Sequence, residues 1–259
     1  MEQTDGLQAV ATYLWQGLEN GDLTVLGIVV GIIVGILTVV VLIVKSRGKS
    51  KRHGVLLLGI CDAGKTLIFS QLVYNKFKQT YTSIKVNSGD YEVTEKKKKL
   101  RIIDLPGHER LRGQLLEEYK SLARGLVFVI DSGSLQKEIK EVAEYLYTLL
   151  SDRSLSSNTP PILILCNKQD LTLAKGAKVI RSQLEKEMNT LRVTRTAALK
   201  GVGDTANNNT YLGKRDKDFD FSDVKPLKVE FAESSALGKG QSSQEPELGE
   251  LYRWLARVA

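Results

Sequence analysis

The sequence has few of the residues that build disulfide frameworks or clustered metal sites. Its 259 residues include two cysteines, Cys61 and Cys166, and neither has a metal-ligating neighbour along the chain. Two such cysteines make no disulfide framework, and free thiols suit a reducing compartment. We interpret both as small, semi-buried side chains and keep a redox switch as the alternative.

Basic residues interleaved with aromatic residues are also lacking. A formal net charge of +7 could indicate nucleic acid as a partner, but the chain has no stripe of the kind that binds single strands. Much of the positive charge instead follows an apolar segment, at Lys45, Arg47, Lys49, Lys51 and Arg52. Charge in that position suits a membrane surface, and we expect no direct nucleic-acid binding.

Residues 25–44 contain no charged side chain. About 20 apolar residues in a helix rise about 30 Å, which matches the hydrocarbon core of a bilayer. A buried core helix would be shorter and less uniform. A cleaved signal peptide would follow positive charge, whereas residues 1–24 contain acidic residues and no Lys or Arg.

The distribution of basic residues predicts the orientation of this segment. Lys and Arg remain on the cytosolic side, so residues 1–24 should lie across the membrane and the chain after Lys45 in the cytosol. We therefore expect a short segment 1–24, a transmembrane helix 25–44 and a basic cytosolic linker 45–53.

A glycine loop follows the first apolar run of the remaining chain. Residues 55–58 read as a buried strand, and a helical pattern begins at Leu67. In this context glycines let backbone N–H groups turn toward a phosphate at the helix N-terminus. Lys65 is expected to neutralise phosphates, and the Thr66 hydroxyl to bind Mg²⁺. The loop consists of Gly59, Ile60, Cys61, Asp62, Ala63, Gly64, Lys65 and Thr66.

A second cluster follows the apolar residues 100–103. It reads Asp104, Leu105, Pro106 and Gly107. An Asp at the end of a strand with Gly three residues later can hold Mg²⁺ and sense a terminal phosphate. We expect Asp104 to act on the ion through water and the Gly107 N–H to meet the phosphate.

Two further clusters point to a purine base. The Asp170 carboxylate, in Asn167-Lys168-Gln169-Asp170, can accept two hydrogen bonds from guanine, a donor pair that adenine does not offer. Asn167 would brace the loop, and the stem of Lys168 would cover the base. Near the C-terminus, Ser235 and Ala236 follow an apolar strand, and the Ala236 N–H could reach the guanine oxygen.

All four clusters stand at the C-terminal ends of predicted strands, where open α/β sheets bind their ligands. The predicted strands are 54–59, 84–94, 100–104, 125–131, 161–166 and 227–232. Together they predict a GTP-binding domain over 54–259. Residues 192–225 are rich in charge, with few apolar residues from Gly201 to Asp218, and we expect a mobile insertion there. The alternative is that this insertion binds a partner.

With these motifs and the run Gly125–Ser132, residues 53–259 resemble the Arf/Sar branch of the Ras GTPases. With the membrane helix added, the chain is similar to the beta subunits of signal recognition particle receptors. The resemblance implies an α/β, Ras-like P-loop fold with a six-stranded, mostly parallel sheet flanked by helices. It also implies GTP or GDP with Mg²⁺, and a switch I ligand for the ion at Thr82, with Thr80 as the alternative. Further nucleotide contacts are implied at Leu67, Thr80, Tyr81, Thr82 and Ser83.

The resemblance further implies a function at the endoplasmic reticulum membrane, with a lumenal N-terminus and the bilayer as a partner. In its GTP state such a subunit docks the N-terminal domain of the receptor alpha subunit for co-translational targeting, and thereby indirectly serves the signal recognition particle and the ribosome. A vesicle-coat-type GTPase with regulated turnover is the alternative, but that class leaves the membrane after hydrolysis. Asp170 disfavours an ATP-dependent enzyme.

Position 108 departs from the usual pattern. Most Ras-like GTPases carry Gln there to orient the attacking water, whereas this chain has His108. An imidazole can hold a water, but its reach and donor pattern differ from those of an amide. We treat His108 as a water-positioning candidate and expect slow intrinsic hydrolysis.

Overall fold

The computed structural model describes residues 23–47, 52–93, 96–199, 211–238 and 245–259. The chain divides into two compact units, Met1–Lys51 and Arg52–Ala259, which are described separately. Most of the predicted segment 1–24 and residues 48–51 of the predicted linker lie outside the described residues.

The described part of the first unit is one helix, α1, over Leu23–Arg47. Its described aliphatic side chains are exposed, among them Ile36 and Leu37. No helix among the described residues combines the length and the hydropathy needed to cross a membrane.

The second unit alternates strands with helices. Its strands are β1 (Gly54–Leu58), β2 (Asn87–Val93), β3 (Lys98–Asp104), β4 (Ala123–Asp131), β5 (Ile162–Asn167) and β6 (Val229–Glu233). Its helices are α2 (Lys65–Tyr74), α3 (Glu109–Tyr119), α4 (Leu135–Leu150), α5 (Arg153–Asn158), α6 (Ala177–Leu199) and α7 (Gly249–Val258). Short 3₁₀ turns lie at Lys120–Leu122 and Phe221–Asp223.

The six strands form one sheet in the order β2-β3-β1-β4-β5-β6. Only β2 is antiparallel to its neighbour, β3, and the other pairs are parallel. Parallel strands need crossover connections, which are usually helices and cover both faces of such a sheet. The predicted fold class, a six-stranded and mostly parallel sheet flanked by helices, is confirmed.

Strand β1 shows why the central strands are apolar on both faces. Leu56 and Leu58 belong to a core that includes Phe128, while Val55 and Leu57 belong to a second core that includes Trp254. Successive side chains of a strand point to opposite faces, so one continuous apolar run serves both cores.

The stretch 192–225 differs from the expected loop wherever the structure describes it. Helix α6 continues to Leu199, residues 200–210 are outside the described part, and the chain from Tyr211 onward packs against the domain. Leu212 and Phe219 are buried. Arg192, which is also buried, donates hydrogen bonds to the carbonyl oxygens of Lys214 (2.8 Å) and Lys217 (2.7 Å). The stretch after Tyr211 is thus fixed to the domain through its own backbone carbonyl groups. Amino-acid composition does not reveal such contacts.

Candidate functional site

The loops that follow β1, β3, β5 and β6 meet at the carboxyl edge of the sheet. These loops carry all four sequence clusters. The parallel strands bring them together because their C-terminal ends share one edge. Two adjoining cavities lie there, of about 270 Å³ and 360 Å³.

The loop after β1 has a backbone that side chains would obstruct. Gly59 has φ +133° and Gly64 has φ +93°, values that favour glycine. A Cβ on Gly59 would collide with the carbonyl oxygen of Val129, and one on Gly64 with the side-chain amide of Asn167. The glycines therefore let this loop pass close to both neighbours, and the loop lines the smaller cavity.

Lys65 places a buried cation at this cavity. Its Nζ donates a hydrogen bond to the carbonyl oxygen of Ile60 at 2.6 Å. Burial lowers the pKa of Lys65, whereas the nearby carboxylate of Asp104 favours its charged form. An ammonium group held in this way can neutralise the oxygens of a bound phosphate chain.

Hydroxyl and carboxylate oxygens gather beside Lys65. The Thr66 hydroxyl donates to Asp104 Oδ2 at 2.9 Å and also lies 2.9 Å from Ser83 Oγ. Asp104 is fully buried, and its Oδ1 has no hydrogen-bond partner. Oxygen ligands of this kind, with one orphaned carboxylate oxygen, fit a hard cation such as Mg²⁺.

The segment between α2 and β2, called switch I here, reaches the smaller cavity through four residues that the sequence singled out, Thr80, Tyr81, Thr82 and Ser83. Of these, Ser83 contacts the Thr66 hydroxyl. Thr82, the first choice as an ion ligand, instead places its hydroxyl 3.3 Å from Asp62 Oδ1. Thr80 lines both cavities. The number of residues from Thr66 could not show which of these adjacent hydroxyl groups points to the ion site, because their directions depend on the loop backbone.

Asn167 connects the loops around the larger cavity. Its Nδ2 donates to the carbonyl oxygen of Ala63 at 2.9 Å, and its Oδ1 accepts from the Ala236 N–H at 3.1 Å and from Ser234 Oγ at 3.3 Å. The side chain is buried, as expected for a bracing residue. Three of the four loops are thereby tied together.

Asp170 stands at the same cavity with part of its acceptor capacity available. Ser235 Oγ donates to Asp170 Oδ1 at 2.5 Å and accepts from the Gly238 N–H at 2.9 Å. A carboxylate has about four lone-pair sites, so Asp170 retains acceptors for two further donors. The cavity is also lined by Leu67, Phe77, Lys168, Ala236 and Leu237.

The sequence reasoning missed Asp131, the last residue of β4. Its Oδ2 accepts from Lys168 Nζ at 2.7 Å, and its Oδ1 accepts from the backbone of Gly133 at 2.8 Å. Burial opposes the charged form, but these hydrogen bonds outweigh it and lower the pKa of Asp131. Asp131 therefore holds Lys168 beside the larger cavity. The run Gly125–Ser132 contained this residue, but the motif alone does not indicate the ion pair.

His108 caps helix α3. Its Nδ1 accepts a hydrogen bond from the Arg110 N–H at 3.3 Å, and the imidazole is exposed. An Nδ1 that accepts leaves the ring proton of the neutral form on Nε2. The remaining ring nitrogen, Nε2, can then donate a hydrogen bond to a water but cannot accept one.

Comparisons with known proteins support one family. The model of the family described as signal recognition particle receptor beta subunit matches residues 50–229. The chain is 47% identical over 248 residues to the human signal recognition particle receptor subunit beta, with 95% of this chain and 91% of the human protein covered.

Solved structures show the same likeness. The structure of the mammalian SRP receptor is 47% identical, with a TM-score of 0.69, and the match covers 80% of this chain and all of that one. A Chaetomium thermophilum structure described as signal recognition particle receptor SRb-GDP-Mg is 25% identical, with a TM-score of 0.60, and the match covers 81% and 98% of the two chains.

Proposed function

The chain belongs to the family of signal recognition particle receptor beta subunits, and from that premise we propose that it is a GTP-dependent docking subunit of such a receptor. One observation carries the proposal. The phosphate loop and the partly free Asp170 carboxylate line two adjoining cavities at one edge of the sheet. Asp104, with its orphaned oxygen, lies behind the smaller cavity and accepts a hydrogen bond from Thr66, which lines it. That edge can hold the phosphates, a cation and a guanine base together.

The assignment of guanine rests on Asp170. Guanine presents two donors side by side, and a carboxylate can accept both. Ala236 and Lys168 line the same cavity, so a base held by Asp170 would lie within reach of both. The Chaetomium thermophilum relative, described with GDP and Mg, supports the same ligand for this chain.

We propose that Thr66, Ser83 and Asp104 form the protein side of the Mg²⁺ site. The orphaned Oδ1 of Asp104 supports this role, because a buried carboxylate oxygen without a donor is costly unless a cation or its water satisfies it. Bound Mg²⁺ would supply charge neutralisation at the phosphates. Ser83 replaces Thr82 as the switch I candidate, since the Thr82 hydroxyl donates to Asp62.

We also propose that the protein is attached to the endoplasmic reticulum membrane, and the sequence supports this. The 20 residues 25–44 carry no charge, and a basic cluster follows them. This pattern supports a single span with residues 1–24 lumenal and the GTP-binding domain cytosolic. A protein anchored in this way stays at the membrane in both nucleotide states, which favours a stationary docking subunit over a cycling coat GTPase.

Exposed apolar side chains on switch I support a docking surface. Tyr81 is 81% exposed and belongs to the stretch 80–83 that lines the smaller cavity, and Ile84, which follows this stretch, is 79% exposed. Bound GTP would order this segment through Ser83 and so present both side chains. The family name implies a further receptor subunit, and we propose the N-terminal domain of the alpha subunit as the partner. The signal recognition particle and the ribosome would then be engaged indirectly.

Ile84→Ser tests this surface. We expect binding to the immobilised alpha-subunit domain, with a GTP analogue present, to weaken about tenfold, because an apolar contact at an interface centre is removed. Val193→Ser is the matched control, since Val193 is 61% exposed but lies on α6, outside both cavities. Equal binding by both variants and the unaltered chain would remove switch I from the docking surface.

His108→Gln tests the expected slow hydrolysis. A glutamine amide can both donate to and accept from an attacking water, whereas the capping arrangement leaves His108 only a donor. We expect single-turnover hydrolysis of bound GTP to become about tenfold faster. An unchanged rate, with GTP still bound, would show that position 108 does not limit hydrolysis.

A further inference from the structure

Asn87 is a polar residue beside the carboxylate of Asp104 and lies outside all four motifs. It is the first residue of β2 and stands directly opposite Asp104 in the antiparallel β2–β3 pair. Its Nδ2 donates a hydrogen bond to Asp104 Oδ2 at 3.0 Å. Opposed residues in such a pair have neighbouring side chains, so the strand register creates this contact.

The two oxygens of Asp104 have different surroundings. Oδ2 accepts from both Thr66 Oγ1 (2.9 Å) and Asn87 Nδ2 (3.0 Å), whereas Oδ1 has no partner. Both belong to a side chain with no exposed surface. The two donors therefore fix which carboxylate oxygen is bonded to protein and which remains available.

We propose that Asn87 is a positioning residue of the cation site, holding the Asp104 carboxylate with Oδ1 available to Mg²⁺ and its water. The inference rests on the proposed GTP-binding function and adds to it a residue on β2. Because β2 follows directly on the switch I segment, the same hydrogen bond links the cation site to the start of that strand. Outer residues of this kind commonly change metal affinity 10–100-fold when removed.

The test measures release of a fluorescent GDP analogue from the full chain, in detergent, as free Mg²⁺ is varied. For Asn87→Ala we expect the Mg²⁺ midpoint for retention to rise about tenfold, with the release rate in EDTA unchanged. Ser88→Ala is the matched control, because Ser88 is the next residue of β2 and accepts from Arg101 at 3.2 Å instead. Thermal unfolding in EDTA checks that both variants are folded.

A merely structural role would speed release equally with and without Mg²⁺, and that result would overturn the proposal. A midpoint equal to that of the Ser88→Ala chain would overturn it as well, while leaving the proposed function intact. If the unaltered chain holds no guanine nucleotide at any Mg²⁺ concentration, the proposed function and this inference both fail.

Discussion

Replacing Asp170 with Asn is expected to weaken GTP binding by roughly a hundredfold to a thousandfold. Asp170 would accept two hydrogen bonds from guanine, and bonds to a charged group contribute about 1.5–3 kcal/mol each. In the Asp170→Asn variant the side-chain NH₂ would face a guanine donor and leave it unpaired. The measurement is equilibrium binding of fluorescent GTP to the purified chain.

The same variant should gain affinity for xanthosine triphosphate, because xanthine offers a carbonyl oxygen where guanine offers an amine. Asp216→Asn is the matched control, since this exposed aspartate lies outside both cavities. GTP affinity that is unchanged in Asp170→Asn would contradict the assignment of the base site.

Gly107→Ala should lower the affinity for GTP by about 10–100-fold while affecting GDP less. A Cβ at this position would lie 2.5 Å from the carbonyl carbon of Ile60 and 2.7 Å from the nitrogen of Cys61. Both are backbone atoms that cannot rotate away, so the segment must move off the phosphate loop. The Gly107 N–H would then lose its place at the terminal phosphate.

Gly113→Ala gives the control for this change. Gly113 lies inside α3, and a Cβ there would meet nothing within 4 Å. Alanine favours a helix interior over glycine, so this variant should bind both nucleotides normally and unfold at the same or a higher temperature. Parallel losses of GTP and GDP in Gly107→Ala would show general misfolding, which contradicts a specific role at the third phosphate.

Much of the fold could be predicted because its signals are local. The apolar runs at residues 55–58 and 162–165 predict central strands, and the glycines after the first run predict a tight loop. Six strands and the mostly parallel sheet are confirmed. The predicted second strand, 84–94, begins only at Asn87, because residues 84–86 continue the switch I segment and form no ladder with β3.

The contacts that complete the site could not be read from the sequence. The Lys168–Asp131 ion pair and the Asn87–Asp104 hydrogen bond join residues 37 and 17 positions apart. Each depends on strand order or register rather than on a local pattern. The choice between Thr82 and Ser83 likewise depends on one loop conformation.

The most direct test of the docking account is the affinity of the full chain for the receptor alpha-subunit N-terminal domain, measured with a GTP analogue and again with GDP. We expect binding to be at least about tenfold tighter in the GTP state, because the terminal phosphate orders the switch segments. Equal affinities in the two states, with each nucleotide shown to be bound, would contradict GTP-dependent docking.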